Sequence, residues 1–167
     1  MTTCEMHVME GFLPAPLRPL FRQPAPTSGR LNMVSPHELH DLRLRIERGQ
    51  VPSDFEAKLI NLAQGTLAQR SIEQNCRTMI ALLQAAHQGA FKQATPADCE
   101  QLLRLLAYVR KDDDAIPDYT PDGFTDDHQE MRAVTGNLSP LLLSFKAWRL
   151  RYQVPAMWSA NSERLSR

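Results

Sequence analysis

Apolar residues recur at helical spacing along most of the chain after residue 35. Intervals of three and four residues place side chains on one face of a helix, whereas a half-buried strand would alternate apolar and polar residues. No segment alternates for long enough to indicate a strand. The four amphipathic stripes are Leu39, Leu42 and Ile46; Phe55, Leu59, Leu62 and Ala63; Ile72, Cys76, Met79, Ile80 and Leu83; and Leu141, Leu142, Phe145, Trp148 and Tyr152.

A fifth segment, 102–109, is apolar around more than half of its circumference, which predicts a helix at the centre of the fold. Residues 35–38 have the composition of a helix start. Ser35 offers an N-cap hydroxyl, Pro36 occupies the first helical position and Glu38 places a carboxylate at the third. The last helix is expected to stop before Pro155. We predict an all-α bundle of five or six helices with a long proline- and aspartate-rich interhelical loop. Similar helix starts are expected at Ser53, Thr95, Thr125 and Ser139.

The distribution of prolines divides the chain. Six prolines between residues 12 and 36 prevent a continuous helix, so residues 1–34 are predicted to form an extended arm. Residues 35–157 carry the helical pattern and are expected to form a single domain, and residues 158–167 are expected to be a flexible tail. A length of 167 residues fits one domain.

Composition narrows the classes of function. The chain has 19 basic and 19 acidic side chains, and it lacks the basic excess of a nucleic-acid-binding domain. No apolar run is long enough to span a membrane, and the N-terminal residues do not resemble a secretory signal. The chain has three cysteines and no C-x-x-C pair, which is typical of free thiols in a reducing compartment. We therefore expect a cytoplasmic protein without nucleic-acid partners.

Residues 112–130 contain eight carboxylates and neither lysine nor arginine. The segment from Asp118 to Gly123 matches the first half of a calcium-binding EF-hand loop, but Gln129 stands where that loop requires a bidentate glutamate. A looser site for a hard divalent cation, Ca²⁺ or Mg²⁺, remains one hypothesis. Its ligands would be Asp114, Asp118, Asp122, Asp126 and Asp127.

A second hypothesis needs neither a metal nor another cofactor. Aspartates accept backbone amide hydrogen bonds in turns, and Asp126 and Asp127 suit the N-terminus of the next helix. The basic residues of the C-terminal third, which include Lys146 and Arg149, are expected to pack over the acidic loop or to leave one charged patch for a partner.

The sequence D-A-I-P-D-Y-T-P-D-G-F-T-D-D, residues 114–127, follows the helix L-L-R-L-L-A-Y-V and resembles the core of the YkvA-like domain of unknown function. The resemblance covers residues 102–145. Asp112 departs from it, because the family usually has proline there, and the stretch between Pro121 and Gly123 is one residue short. The resemblance implies a small helical domain and supplies no reaction.

No pair of a nucleophile and a base is visible in the sequence. Cys76 lies within an apolar stripe, and Cys99 is predicted to be either acidified by a helix N-terminus or buried. His37 and His40 fit a solvated first helical turn, and His128 is the candidate general base nearest the acidic loop. The sequence therefore favours a protein that is not an enzyme.

Apolar residues near both ends are candidates for contact with another protein. Aromatic and methionine side chains often anchor such contacts, and proline-rich segments can lie along a groove. We predict a non-catalytic interaction or regulatory protein that binds another protein through its acidic loop or its apolar termini. A homodimer formed through the N-terminal arm is a further expectation. The candidate contact residues are Phe12, Phe21, Met157 and Trp158.

Overall fold

The structure, a computed structural model, describes residues 29–112, 118, 120 and 122–162, and for 153–162 it gives the course of the backbone. A short 3₁₀ helix, Gly29–Met33, precedes six α-helices, and the described residues include no strand. The prediction of an all-α bundle of five or six helices is confirmed. The helices are α1 (Pro36–Glu47), α2 (Ser53–Ala63), α3 (Leu67–His87), α4 (Pro96–Arg110), α5 (Thr125–Asn137) and α6 (Ser139–Ser162).

Helix α4 is central, as its apolar circumference predicts. It packs against α1, α2, α3, α5 and the 3₁₀ helix, and every residue from 105 to 109 is buried. Helix α6 packs against α3 and α5 at the side of the bundle. There, Phe145 stacks on Trp148 with ring centres 5.6 Å apart and meets Phe91 edge to face at 5.2 Å.

The apolar stripes coincide with the buried faces of α1, α2 and α3. Two of the residues assigned to stripes differ, because Ala63 is exposed at the end of α2 and Tyr152 is 63% exposed. Tyr152 contacts Trp148, with ring centres 5.9 Å apart, but it lies where α6 has passed the edge of the core. The amphipathic pattern therefore continues further along α6 than the packing does.

Capping boxes at Ser35 and Thr95 start α1 and α4 as expected. The box expected at Ser53 is wrong: Pro52 is the N-cap of α2, and Ser53 is already helical, so its hydroxyl does not cap the helix. A further box, in which Thr66 and Gln69 start α3, was not predicted. The expected starts at Thr125 and Ser139 are the first residues of α5 and α6.

The expected end of the last helix before Pro155 is wrong, because α6 continues to Ser162. A proline inside a helix removes one backbone hydrogen bond and crowds the preceding turn, which weakens the helix without requiring it to end. At the other end of the domain, Leu31 and Val34 are buried although the sequence assigned them to the arm. Residues 1–28 and 163–167 lie outside the described part of the chain.

Candidate functional site

The acidic segment is organised around a lysine from another helix. Lys58 lies in α2, and its side chain is 8% exposed. Its ammonium group pairs with the Asp118 carboxylate and donates a hydrogen bond to the carbonyl oxygen of Lys111 at 2.5 Å. Asp112 Oδ1 and Asp127 Oδ2 lie 3.5 and 3.9 Å from the same nitrogen. Three aspartates of the acidic segment thus surround one buried ammonium group.

The backbone of the segment brings these groups together through turns. The Asp118 amide donates to the Asp112 carbonyl oxygen at 3.2 Å, and the Thr125 amide donates to the Asp122 carbonyl oxygen at 2.9 Å. The ring of Phe124 lies below the Lys58 ammonium, with its centre 5.8 Å away. The ring and the carboxylates therefore contact the ammonium group from different parts of the segment.

The first turns of α5 carry the second part of this cluster. Asp126 and Asp127 are fully buried, and Glu130, one turn later, is 4% exposed. The Tyr108 hydroxyl on α4 donates a hydrogen bond to Asp126 Oδ2 at 2.6 Å in the buried interior. The two consecutive aspartates are thus used differently, since Asp127 faces Lys58 while Asp126 joins α5 to α4.

Burial dominates the electrostatics of Asp118. Desolvation raises the pKa of this carboxyl group, and the opposing effect of the Lys58 ammonium does not cancel it. Nearby in the core, burial also raises the pKa of the Cys76 thiol, with a smaller contribution from the Asp127 charge. Cys76 is therefore a core thiol, as its position in an apolar stripe predicts.

The five candidate metal ligands do not form one group among the described residues. Asp118 and Asp127 face Lys58, Asp126 faces Tyr108, and Asp114 lies outside the described residues. Asp122 is exposed and lines a separate shallow cleft with His128. Within the part of the chain that is described, no three His, Cys, Asp or Glu side chains are arranged to hold a metal ion.

Sequence reasoning missed Lys58 and Tyr108. A signal for Lys58 was present, because it follows Phe55 by three residues and precedes Leu62 by four, so it lies in phase with the apolar stripe of α2. A charged residue in such a position has to find a buried counter-charge. Tyr108 gave a weaker signal, since it lies in the segment 102–109, whose other residues are apolar except for Arg104.

Among the described residues, Asp118 and Asp127 face Lys58 of α2, and the expectation that the basic flank of α6 covers the acidic loop stays a prediction. On α6, Arg149 lies over the ring of Phe145, with its guanidinium carbon 6.0 Å from the ring centre. Lys146 and Arg151 are exposed to solvent. Asp118 and Asp127 are therefore directed inward to α2, whereas Lys146 and Arg151 are directed to solvent.

Helix α6 presents a second apolar face on the side away from the bundle. Leu143 and Leu150 are 65% and 70% exposed, and Ala147 between them is also exposed. This outer face lies opposite the inner face that carries Phe145 and Trp148. Of the four candidate contact residues, Met157 and Trp158 lie on the later turns of α6, where the side chains are not described, and Phe12 and Phe21 lie outside the described residues.

A groove of about 360 Å³ lies between α1, α3 and α4. Its charged rim is paired internally, because Arg43 bonds Glu100 and His87 lies 3.8 Å from Glu47. The Cys99 thiol lines this groove, and burial raises its pKa, which is opposite to acidification by the helix N-terminus. The groove therefore offers a protonated thiol beside an Arg43–Glu100 ion pair.

Within the described part of the chain, no helix combines the length and the apolar character that crossing a bilayer requires. Comparison of the chain with protein families, curated proteins and solved structures returns no match.

Proposed function

We propose that this protein is a non-catalytic helical interaction protein that binds another protein through the outer face of α6. The observation that carries the proposal is the exposure of Leu143 and Leu150 on a helix whose opposite face already packs on the bundle. Isolated exposed leucines are common, but two on one helical face with an alanine between them form a continuous apolar strip. Such a strip loses contact with water when a partner covers it.

The acidic segment has a structural role in this proposal. Asp118 and Asp127 face a lysine of the same chain, and Asp126 joins two helices. The motif that resembles the YkvA-like domain includes these three aspartates. We therefore assign that resemblance, too, to the way the domain folds, and the binding surface to α6 rather than to the acidic loop.

A test compares the proteins that copurify with three forms of the full chain. The double variant Leu143→Asp/Leu150→Asp places charge on the outer face, and Leu67→Asp serves as the control because Leu67 is 78% exposed at the start of α3. We expect a partner that is retained by the wild type and the control and is lost from the double variant. The same set of proteins on all three forms would refute the proposal.

The alternative hypothesis is a divalent-cation-dependent enzyme or sensor that uses the acidic segment. The Lys58 ammonium argues against it, because this group already stands where Asp118 and Asp127 converge and would repel a metal ion. Calorimetric titration with Ca²⁺, Mg²⁺ and Mn²⁺ separates the two hypotheses. We expect no heat of binding from any of the three ions, and a saturable heat that disappears in Asp118→Asn would favour the alternative.

A homodimer formed through the N-terminal arm is compatible with this proposal. Light scattering on the full chain and on residues 29–167 tests it. The truncation keeps Leu31 and Val34, which are buried in the core. A mass that halves on truncation supports the arm-mediated dimer, and an unchanged mass contradicts it.

We also propose a reducing, cytoplasmic location, which the unpaired thiols Cys76 and Cys99 support. Fluorescence microscopy of the tagged chain, with a cytoplasmic marker as reference, tests this location. Signal that separates from the marker would contradict it.

A further inference from the structure

The apolar strip on the outer face of α6 has the spacing of a helix-pairing seam. Leu143, Ala147 and Leu150 are separated by four and then three residues, which is the alternation of the d and a positions of a heptad repeat. In the sequence, the next two positions with this spacing are Val154 and Met157. The strip is one residue wide on each turn, and the small side chain of Ala147 allows another helix to approach closely.

Basic side chains stand on both sides of this seam. Lys146 lies at the g position on one side and Arg151 at the e position on the other, and both are exposed. The sequence of α6 from Ser139 to Ser162 contains no aspartate or glutamate. In a coiled coil, e and g side chains select the partner by their charge. The flanks of α6 therefore favour a partner with negative charge.

These charges disfavour pairing between two copies of α6. A parallel pair would bring Lys146 of one copy next to Arg151 of the other, and an antiparallel pair would bring like residues together. Both arrangements bring positive charges of the two copies face to face, and the repulsion between them weakens binding. A second copy of this chain is therefore a poor occupant of the seam.

The width of the strip favours a helix over a lipid surface. A helix that lies in a membrane interface needs a broad apolar face that sinks below the headgroups. On α6, the broad aromatic face, with Phe145 and Trp148, is already used against Phe91 of the bundle. The outer strip is narrow and has cations on both sides, which is the geometry of a coiled-coil seam.

We propose that the outer face of α6 binds an acidic amphipathic helix of another protein, with leucine or isoleucine at its a and d positions and glutamate or aspartate at its e and g positions. This inference rests on the proposed function and specifies the chemistry of its partner. The apolar residues of the partner cover Leu143, Ala147 and Leu150. Its carboxylates face Lys146 and Arg151.

The test uses two synthetic peptides of four heptads, each with isoleucine at a and leucine at d. One carries glutamate at every e and g position, and its twin carries lysine there, so that each peptide repels itself. Fluorescence anisotropy with the full-length protein at low salt measures binding. We expect the glutamate peptide to bind at least tenfold more tightly than its twin, and its affinity to fall as salt is added.

Variants identify the surface that binds. Leu150→Asp is expected to weaken binding of the glutamate peptide at least tenfold, whereas Leu67→Asp, at an exposed site on α3, leaves it unchanged. The double variant Lys146→Glu/Arg151→Glu is expected to reverse the preference and bind the lysine peptide. Because both residues are exposed, this charge reversal leaves the bundle folded.

Other outcomes overturn the inference and are distinguishable from failure of the proposed function. If both peptides bind equally and Leu150→Asp weakens both, α6 binds helices without a charge preference, and only the acidic partner is wrong. If neither peptide binds but vesicles of phosphatidylcholine and phosphatidylserine bind, the outer face of α6 binds lipid and the inference of a helical partner is wrong. If nothing binds but the copurified partner is still lost with Leu143→Asp/Leu150→Asp, the proposed function stands and the helical partner is wrong.

Discussion

Lys58 lies close to three aspartates from separate parts of the acidic segment. Its ammonium group is buried and pairs with Asp118, while Asp127 lies 3.9 Å away on α5. A buried ion pair contributes little net stability compared with a well-packed apolar pair, but removal of one partner leaves a buried charge without compensation. The contribution of Lys58 to stability is therefore expected to be visible mainly when Lys58 is removed and the buried carboxylates remain.

Substitution Lys58→Met tests this role. The methionine keeps much of the volume of the side chain, but it leaves Asp118 and Asp127 without the ammonium group. We expect the free energy of unfolding to fall by about 3–5 kcal/mol. Urea denaturation followed by circular dichroism measures the change, with the exposed Lys92→Met as the matched control. Equal stability of the two variants would show that Lys58 does not hold the acidic segment.

Tyr108→Phe tests the link between α4 and α5. The substitution removes only the hydroxyl that donates to Asp126 Oδ2 at 2.6 Å, and both residues are buried. We expect a loss of about 1–3 kcal/mol, because the carboxyl oxygen loses a donor where water does not replace it. Tyr152→Phe, at a position that is 63% exposed, should change the free energy by less than about 0.5 kcal/mol. Equal effects of the two variants would contradict the structural role of Tyr108.

At the scale of elements, the sequence predicted those features that depend on local spacing. Capping boxes at Ser35 and Thr95 were recognisable because a proline follows each N-cap directly. The box at Thr66 has Leu67 in place of proline, so it lacked that signal. At α2, Ser53 suits an N-cap, but Pro52 takes that position without a side-chain hydrogen bond, and spacing alone does not predict which of two neighbouring residues is the last non-helical one.

Contacts between distant elements were not predictable in the same way. Lys58 and Asp118 are 60 residues apart, so their pairing depends on how α2 packs beside the end of α4. The stripe of α2 indicates that Lys58 is buried, but it does not say which carboxylate compensates it. For the same reason, the sequence identified the acidic segment as a candidate site but missed the ammonium group at its centre.

The capping box of α1 predicts how the stability of the folded state depends on pH. Hydrogen bonds from Ser35, helped by Lys111 at 3.2 Å, lower the pKa of Glu38 from 4.5 to about 2. A carboxyl group with a lowered pKa in the folded state stabilises that state above pH 4.5, and this contribution is lost as the pH falls toward 2. Because Glu38 is partly exposed, the contribution should stay below about 1 kcal/mol.

Glu38→Gln isolates this effect, because glutamine keeps an oxygen that accepts from the Ser35 amide but does not titrate. We expect the wild type to be more stable than the variant by a constant amount above pH 4.5, and the difference to vanish near pH 2. Urea denaturation at a series of pH values measures it. A difference that stays constant down to pH 2 would rule out the titration of Glu38 as its cause.

The two faces of α6 should respond differently to truncation of their side chains. Phe145 is 1% exposed and contacts Phe91 and Trp148, so Phe145→Ala is expected to cost about 3–5 kcal/mol. Leu143→Ala, on the outer face, should change the free energy of unfolding by less than about 0.5 kcal/mol. Thermal or urea denaturation measures both variants. A comparable loss for Leu143→Ala would mean that the outer face supports the fold and is not available to a partner.

For the molecule as a whole, the charges balance, with 19 basic and 19 acidic side chains, but they are used in different places. Carboxylates of the acidic segment face inward to Lys58, while Lys146 and Arg151 of α6 face solvent. In the proposed function, the acidic segment has a structural role, and the outer face of α6, an apolar strip between cations, binds the partner.

Photo-cross-linking at the outer face of α6 tests whether this face binds another protein. p-Benzoylphenylalanine replaces Ala147 on that face or, as a control, the exposed Ala68 on α3. We expect irradiation of cells to give a discrete adduct with another protein from position 147 and none from position 68. The adduct from position 147 should be lost when Leu150→Asp is added. No adduct at position 147, the same adduct from both positions, or an adduct that Leu150→Asp leaves unchanged would contradict binding at this face.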